Sequence, residues 1–402
     1  MVSFTQNTSK SVRRMDPPSK ARIPLTNVSN NVSQRMVKHI QPYHDQSQDP
    51  QLKDTAQVSE ELFFMYRKSL RKTPTGCEDL FSMLSDEMLL QIFKWLPKKT
   101  LLNCGQVNRR FNRVSKDETL WYRLDLGGRT LQYDGLSEVL NRGTVVLRMA
   151  HTTVVNPTQE ACVDFPEYVK VKYLDLSMCI ISKPVLRALL GSCRSLVKLS
   201  LESVPLDGAI CAEIAENRCL DTLNLTMCSG IDATAMRAMT RSLTKLHNFN
   251  VSWTYLSKEA LQELVNNVTP QMLHLNVAGC RSTLNDDDLA SLIKRCPKLV
   301  SLDLSDCTPL TSAAINIICK ARKIEYLSLS RCYNIQVTSY LKLTELRTLR
   351  FLDLFGLLSD TVIETLRSSL GDVGINRYYH SFVARPTVGT KRTSIWGLRT
   401  RD

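Results

Sequence analysis

The chain has 402 residues, 43% of them apolar and 23% charged, which is enough for an extended array with a second small domain. Lys and Arg number 52 against 39 Asp and Glu, and this formal charge of +13 points to an acidic partner or to nucleic acid. No apolar run approaches the length of a membrane span, and the polar start MVSFTQNTSKSVRRMD lacks the apolar core of a signal peptide, so the expected setting is the nucleus and cytoplasm, with no membrane partner.

Residues 1–79 are rich in Ser, Asn, Gln, Pro and charge with little periodicity, and read as a disordered regulatory segment. Within it, Arg22-Ile23-Pro24-Leu25 followed by Asn30 fits the R-x-x-L-x-x-x-x-N destruction-box pattern, so Arg22, Leu25 and Asn30 are read as a turnover signal.

Residues 80–126 read as a compact helical domain. Ser85 can cap a helix whose first turn carries Asp86 and Glu87, both favourable at the positive end of the dipole. Leu89, Ile92, Phe93 and Leu96 then share a face, and Pro97 ends the helix. Leu101, Leu102, Val107 and Phe111 give a second apolar face, and Trp121 closes the segment. So short a domain buries little, and surplus apolar residues such as Phe81, Leu84, Leu90 and Trp95 invite a partner.

From 127 to 374 one phrase returns: YLDLSMC, LNLTMC, LNVAGC, LDLSDC, LSLSRC. Its second apolar residue falls at Leu176, Leu201, Leu225, Val251, Val277, Leu304, Leu329 and Leu354, a period of roughly 25 residues, the spacing of leucine-rich repeats. Each L-x-L strand buries two apolar residues and turns the residues between and after them to the other face. Helix-like stretches lie between the strands, among them Leu186, Leu189 and Leu190, or Leu289, Leu292 and Ile293. Strand, turn and helix in repetition predict an α/β horseshoe, a leucine-rich-repeat solenoid with a parallel sheet inside and helices outside. Five of the 13 Cys occupy the repeat turn and no C-x-x-C pair exists, so the thiols read as structural and no metal is expected. The six His are scattered, no Ser or Cys is set beside a His in a nucleophilic constellation, and no glycine-rich phosphate loop occurs, so neither catalysis nor a cofactor is expected. The residue two beyond each second apolar position forms a row, Met178, Ser203, Met227, Trp253, Gly279, Asp306, Arg331 and Gly356, with Arg281 and Tyr333 along its edge. Trp253 beside Asp306 and Arg331 has the make-up of a binding hot spot, although Asp306 and Arg331 could equally pair with each other.

Two stretches carry a resemblance. Leu84-Ser85-Asp86-Glu87-Met88-Leu89-Leu90-x-Ile92-Phe93-x-x-Leu96, closing on Glu118-x-Leu120-Trp121, resembles an F-box, with Ser85 where the family usually has Pro. LSLSRCYNI, HLNVAGCRSTL, Arg109 to Phe111 and the tail ARPTVGTKRTSIWGL are similar to the S-phase kinase-associated family of F-box/leucine-rich-repeat receptors. The resemblance implies a non-catalytic substrate receptor of an SCF ubiquitin ligase. Phe81, Leu84, Asp86, Glu87, Leu89, Leu90, Phe93 and Leu96 would bind the Skp adaptor, and through it the cullin and RING subunit. The substrates implied are phosphorylated Cip/Kip inhibitors of cyclin-dependent kinases, with a Cks subunit reading the phosphate and cyclin–kinase complexes as further partners. Trp253, Arg281 and Asp306 would contact the Cks subunit, Arg331 with Tyr333 beside it would hold a substrate carboxylate, and the tail, 375–402, would fold back along the concave face. The tail's alternating Phe382, Val388, Ile395, Trp396 and Leu398 give it something to bury. A receptor for an unrelated substrate, a leucine-rich scaffold outside ubiquitin chemistry and a basic nucleic-acid binder remain as rivals, the last without an aromatic-interleaved motif to support it.

Overall fold

A computed structural model describes residues 80–155, 165–387 and 393–401. Arg22, Leu25, Asn30 and Val388 lie outside the described residues. Eleven strands form one parallel sheet in chain order: β1 (Arg123–Asp125), β2 (Val146–Arg148), β3 (Tyr173–Asp175), β4 (Lys198–Ser200), β5 (Thr222–Asn224), β6 (Asn248–Asn250), β7 (His274–Asn276), β8 (Ser301–Asp303), β9 (Tyr326–Ser328), β10 (Phe351–Asp353) and β11 (Gly374–Ile375). The register is unbroken. Leu124, Leu147, Leu174, Leu199, Leu223, Phe249, Leu275, Leu302, Leu327, Leu352 and Ile375 face one another across successive strands and are all buried. The sheet therefore begins inside the stretch 80–126 assigned to the helical domain, because Leu124 and Leu126 continue the L-x-L pattern.

Four residues turn each strand toward its helix. The N–H of Cys179, Val204, Cys228, Cys307 and Cys332 bonds back to the carbonyl of Leu176, Leu201, Leu225, Leu304 and Leu329, at 2.9–3.3 Å. The third residue of the turn has positive φ, the position glycine prefers in a type II turn: Met178 (55°), Ser203 (61°), Met227 (57°), Trp253 (58°), Gly279 (86°), Asp306 (59°), Arg331 (58°) and Gly356 (71°). A left-handed backbone is costly for a residue with a Cβ. Its compensation is a sideways bond, since the turned N–H of each donates to a carbonyl of the next coil, as Trp253 does to Ala278 and Asp306 to Ser330 at 2.8 Å. The turn cysteines add a second link, their Sγ donating to the preceding coil's strand-end carbonyl: Cys179 to Met149 (2.7 Å), Cys228 to Leu201 (3.1 Å), Cys332 to Leu304 (3.2 Å). Burial pushes these three thiols up to about 12, which suits inert structural groups.

Outside the sheet run α5 (Lys183–Ser192), α6 (Gly208–Ala215), α7 (Ala233–Ser242), α8 (Lys258–Asn267), α9 (Asp286–Arg295), α10 (Ala313–Ile318) and α11 (Asp360–Leu370). Asp207, Asp232, Ser257 and Asn285 cap four of them by accepting a backbone N–H three residues on, Asn285 within a capping box. The order α5 to α11 follows α4 (Tyr133–Asn141) and the three helices of the N-terminal domain: α1 (Asp86–Phe93), α2 (Lys98–Cys104) and α3 (Arg109–Ser115).

Ser85 caps α1, donated to by the Met88 N–H at 3.4 Å. Inside the domain Phe93 meets Phe111 edge-on at 5.4 Å, and Leu89 and Leu101 are closed to solvent. Arg110 binds the domain's start together, bonding Asp86 at 2.7 Å, the Phe81 carbonyl at 2.9 Å and the Leu84 carbonyl. Arg110 and Arg113 hold the Asp86 carboxyl below its usual range. Leu89 and Phe93 lie in the domain's interior, Asp86 is half-exposed and pairs with Arg110 and Arg113 within the domain, and Ile92 turns outward, away from the face it shares with them in the helical pattern. Truncating Leu89 to Ala should cost roughly 2–5 kcal/mol of this domain's stability, measurable as an earlier unfolding transition, because it opens a cavity rather than trimming a surface.

Candidate functional site

Three features meet on the concave side: a carpet of turn-forming side chains, the tail that lies on it, and a ridge of charged and aromatic residues at the strand ends. The carpet is the residue between the two apolar positions of each strand. Asp175, Asn224, Asn250 and Asp303 each accept the N–H of the residue two further on, at 3.0–3.2 Å, and Asp175, Asn224 and Asn250 also take a Ser or Thr hydroxyl there. These positions were expected to read outward. They are buried, spent on holding the turns and covered in part by the tail.

The tail crosses the strands in reverse order. Asn376 donates to the Leu352 carbonyl at 3.0 Å, Tyr379 stacks on Phe355 at 5.1 Å, and Ser381 bonds Asp303. Asn250 then donates to the Val383 carbonyl at 2.9 Å, and Arg385 pairs with Glu202 at 3.6 Å. A final hairpin, Ser394–Ile395 with Leu398–Arg399, buries Ile395, and Arg401 reaches Asp125 of β1. Arg148 also bonds Asp125, at 2.8 Å, and lies 4.0 Å from Asp175. Burial works against the ionised Asp125, but its bonds from Arg401, Gly127 and Arg148 keep the carboxyl below its usual range. The chain end is thus tied to the first coil.

The ridge brings together four of the five residues singled out. Asp306 is 3% exposed and takes two guanidinium groups, Arg281 at 3.0 Å on Oδ1 and Arg331 through Nε at 2.8 Å and Nη2 on Oδ2. Arg281 lies over the Trp253 ring at 5.0 Å, a cation–π pair. Trp253 is half-buried beneath it, not an exposed ring. Gly279 makes this packing possible, since a Cβ there would stand 2.8 Å from the indole. Gly356 does the same for Arg331, whose Cγ would be 3.2 Å from an added Cβ. Tyr333 stands exposed beyond the ridge and makes no hydrogen bond to it. The hydrogen bonds of Arg331 to Asp306 raise its pKa further, so Arg331 is a fixed cation with a half-exposed fork, two of whose donor nitrogens are held from below. Such a fork suits a carboxylate or phosphate arriving from the open side.

The second surface lies on the N-terminal domain. Trp95 (89% exposed), Met83 (81%), Val107, Leu80, Met88, Leu102, Phe81 and Ile92 are exposed, whereas Leu84, Leu90 and Leu96 pack partly on the core. Glu87 is exposed among them. An apolar patch of this composition marks an interaction site. Trp95 follows the helix closely enough that its exposure was legible in the sequence; the outward turn of Met83, Met88 and Val107 was not.

A parallel leucine-rich-repeat solenoid led by a three-helix domain with an open apolar patch is the architecture of an F-box/leucine-rich-repeat protein. Residues 134–402 match the family model described as the SKP2 LRR domain, and residues 86–127 match the F-box-like model. The chain belongs to the SKP2 LRR family, with an F-box-like domain before its repeats. Among curated proteins it is similar to F-box protein dre-1 of Caenorhabditis elegans, 40% identical over 47 residues that make 12% of this chain and 5% of that one. It is also similar to F-box only protein 15 of Bos taurus, 39% identical over 57 residues, 14% and 12% of the two chains. The match thus spans a small part of either relative. Among solved structures a chain of the yeast Rad7–Elc1 complex aligns over 76% of this chain and 94% of its own length, at 13% identity and a TM-score of 0.37. The leucine-rich-repeat protein LegL7 of Legionella pneumophila aligns over 55% and 87%, at 15% identity and a TM-score of 0.34.

One acid on the concave face titrates unusually. Burial pushes the Asp353 carboxyl up to about 6, with the backbone N–H groups of Tyr378 and Arg377 opposing and the charge of Asp303 assisting. Because the folded value is raised, the ionised form destabilises the fold in full above about pH 6, and the penalty fades as the pH falls toward the ordinary carboxylate range. Asp353→Asn should therefore raise the melting temperature at pH 7.5, with the gain shrinking toward pH 4; an equal shift at both values would contradict the assignment.

Proposed function

We propose that the chain is the substrate-recognition subunit of an SCF (Skp–cullin–F-box) ubiquitin ligase. The observation that carries this reading is the presence, on one body, of two surfaces with different chemistry. The exposed residues of the F-box-like domain are largely apolar, Trp95, Met83 and Val107 among them, and the concave ridge is charged and clamped in place by Asp306. A subunit that joins an adaptor on one side to a substrate on the other needs this division. The ubiquitin transfer would then belong to the cullin, RING subunit and conjugating enzyme, with this chain acting without catalysis of its own, in the nucleus and cytoplasm.

The substrates we propose are phosphorylated cell-cycle regulators of the Cip/Kip inhibitor class, recognised together with a Cks subunit. Support comes from the family resemblance and from the ridge. The Cks subunit would settle against Trp253 and Arg281, held in place from below by the buried Asp306, and read the phosphate, while the free edge of the Arg331 fork takes a neighbouring acidic side chain and Tyr333 lends apolar area.

Adaptor binding should depend on the exposed residues. Trp95→Ala combined with Met88→Ala should weaken co-purification of the Skp adaptor by about 2 kcal/mol or more while leaving the thermal transition unchanged, as buried aromatic anchors of an interface behave. Retention of the adaptor by the double variant would refute the placement of that surface. For the substrate, Arg331→Ala should weaken a phosphorylated inhibitor peptide roughly tenfold to a hundredfold when a Cks subunit is present, the size of a charged hydrogen bond. Arg331→Lys should restore little, because an ammonium keeps the charge but loses the fork held by Asp306. Adaptor affinity should stay constant in both, and equal peptide affinity for wild type and Arg331→Ala would overturn the proposed role.

A further inference from the structure

The tail does not lie flat on the sheet. Between Tyr378–Arg385 and strands β6 to β10 it leaves a cavity of about 680 Å3, within the usual range for a ligand site. One end of the cavity is the ridge at Trp253 and Arg331. The other end has a different chemistry. Tyr326 and Phe351, the first residues of β9 and β10, stack at 4.9 Å, Tyr378 meets Phe351 edge-on at 5.2 Å, and Phe382 meets Tyr378 edge-on at 4.9 Å. The four rings form a continuous aromatic wall, with Phe382 43% exposed on its outer side.

Beside this wall the cavity is lined by two carboxylates, Asp303 and Asp353. Asp303 is bonded by Ser305 and Ser381. Asp353 takes the backbone N–H groups of Tyr378 and Arg377, but its Oδ1 is enclosed without a hydrogen-bond partner, and among the influences on it no cation figures. Of the arginines that line the cavity, Arg331 is bonded to Asp306, while Arg385 pairs with Glu202 at 3.6 Å and lends its charge to Asp303, its Nε enclosed without a partner; neither figures among the influences on Asp353. His274 is held toward its neutral form by burial. A water molecule could satisfy Oδ1, but it would leave the charge uncompensated and would give no reason for four aromatic rings around it. In a chain of net charge +13, this corner is short of one positive group.

We propose that the Asp353 corner binds an organic cation, an ammonium or guanidinium head on a short apolar stem of the kind a basic peptide side chain presents. The rings would receive the stem and the face of the head, as aromatic cages do for quaternary ammonium groups, and Asp353 would supply the counter-charge. The site is distinct from the Arg331 fork, which takes an anion, and it does not depend on the receptor reading.

The test is calorimetric titration of the full chain at pH 7.5 with N-acetyl-Nε-trimethyl-lysine amide, against its uncharged analogue N-acetyl-norleucine amide. Saturable binding of the cation is expected, with the norleucine amide at least about tenfold weaker because it offers the stem without the charge. Asp353→Asn should weaken the cation by about tenfold, and Phe382→Ala, on the open side of the wall, should weaken it severalfold without loss of folding. Failure of the cation to bind, equal binding of the norleucine amide, or an Asp353→Asn protein that binds as wild type does would overturn the proposal.

Discussion

The structure depends on one backbone constraint, the left-handed residue that closes the turn after every strand. A coil of about 25 residues must leave the sheet sharply, and positive φ at the turn's third residue achieves this while aiming the N–H at the next coil. Glycine would satisfy the geometry at no steric cost, and it does so at Gly279 and Gly356. Elsewhere the position holds Met, Ser, Trp, Asp and Arg. Each accepts local strain, offset by the sideways hydrogen bond and, in some coils, by an Asx bond of the carpet or a thiol bond of the turn cysteine. Positive φ also lifts these side chains off the sheet, so the same constraint that closes the coil sets Trp253, Asp306 and Arg331 in one row.

Charge is then settled locally, coil by coil. Asp306 takes two arginines, Asp125 takes two, and Arg148 lies between Asp125 and Asp175. These groups are buried on the acid's side, where one partner removed would leave an uncompensated charge. The pairs link distant parts of the chain: Arg401 to Asp125 joins the chain end to the first strand, and Arg110 to Asp86 joins α3 to the start of α1. Asp353 departs from this habit, and the aromatic wall beside it belongs partly to the tail. Tail and sheet therefore make this cavity jointly, which neither does alone.

The separation of the two surfaces has a physical origin as well. The N-terminal domain is too small to bury all its apolar residues, and its three helices close around Leu89, Phe93, Leu101 and Phe111 while Trp95, Met83 and Val107 stay outside. The repeats have the opposite balance. The two apolar positions of each strand find the interior of the solenoid, and at the ridge the repeats present the charged and aromatic side chains of Arg281, Arg331 and Tyr333.

Sequence periodicity alone determined the solenoid, because a strand that buries every second residue and a helix that buries every third or fourth leave unmistakable spacings, and the repeat of the phrase fixed the strand register from Leu174 to Leu352. It also brought out Asp306 and Arg331 as neighbours, since adjacent coils stand one strand apart. Burial could not be read in the same way. Leu89, Ile92 and Phe93 look alike as letters on a helix, and only the packing of α3 against α1 decided that the first and third face inward and the second outward. Nor did the spacing disclose that the residues between the apolar positions would be consumed by the turns, or that Arg281 would lie over Trp253 and share Asp306 with Arg331. The course of the tail was decided by contacts between residues as far apart as Asp125 and Arg401, and separations of that kind carry no local signal because the partners meet only after every coil between them has formed.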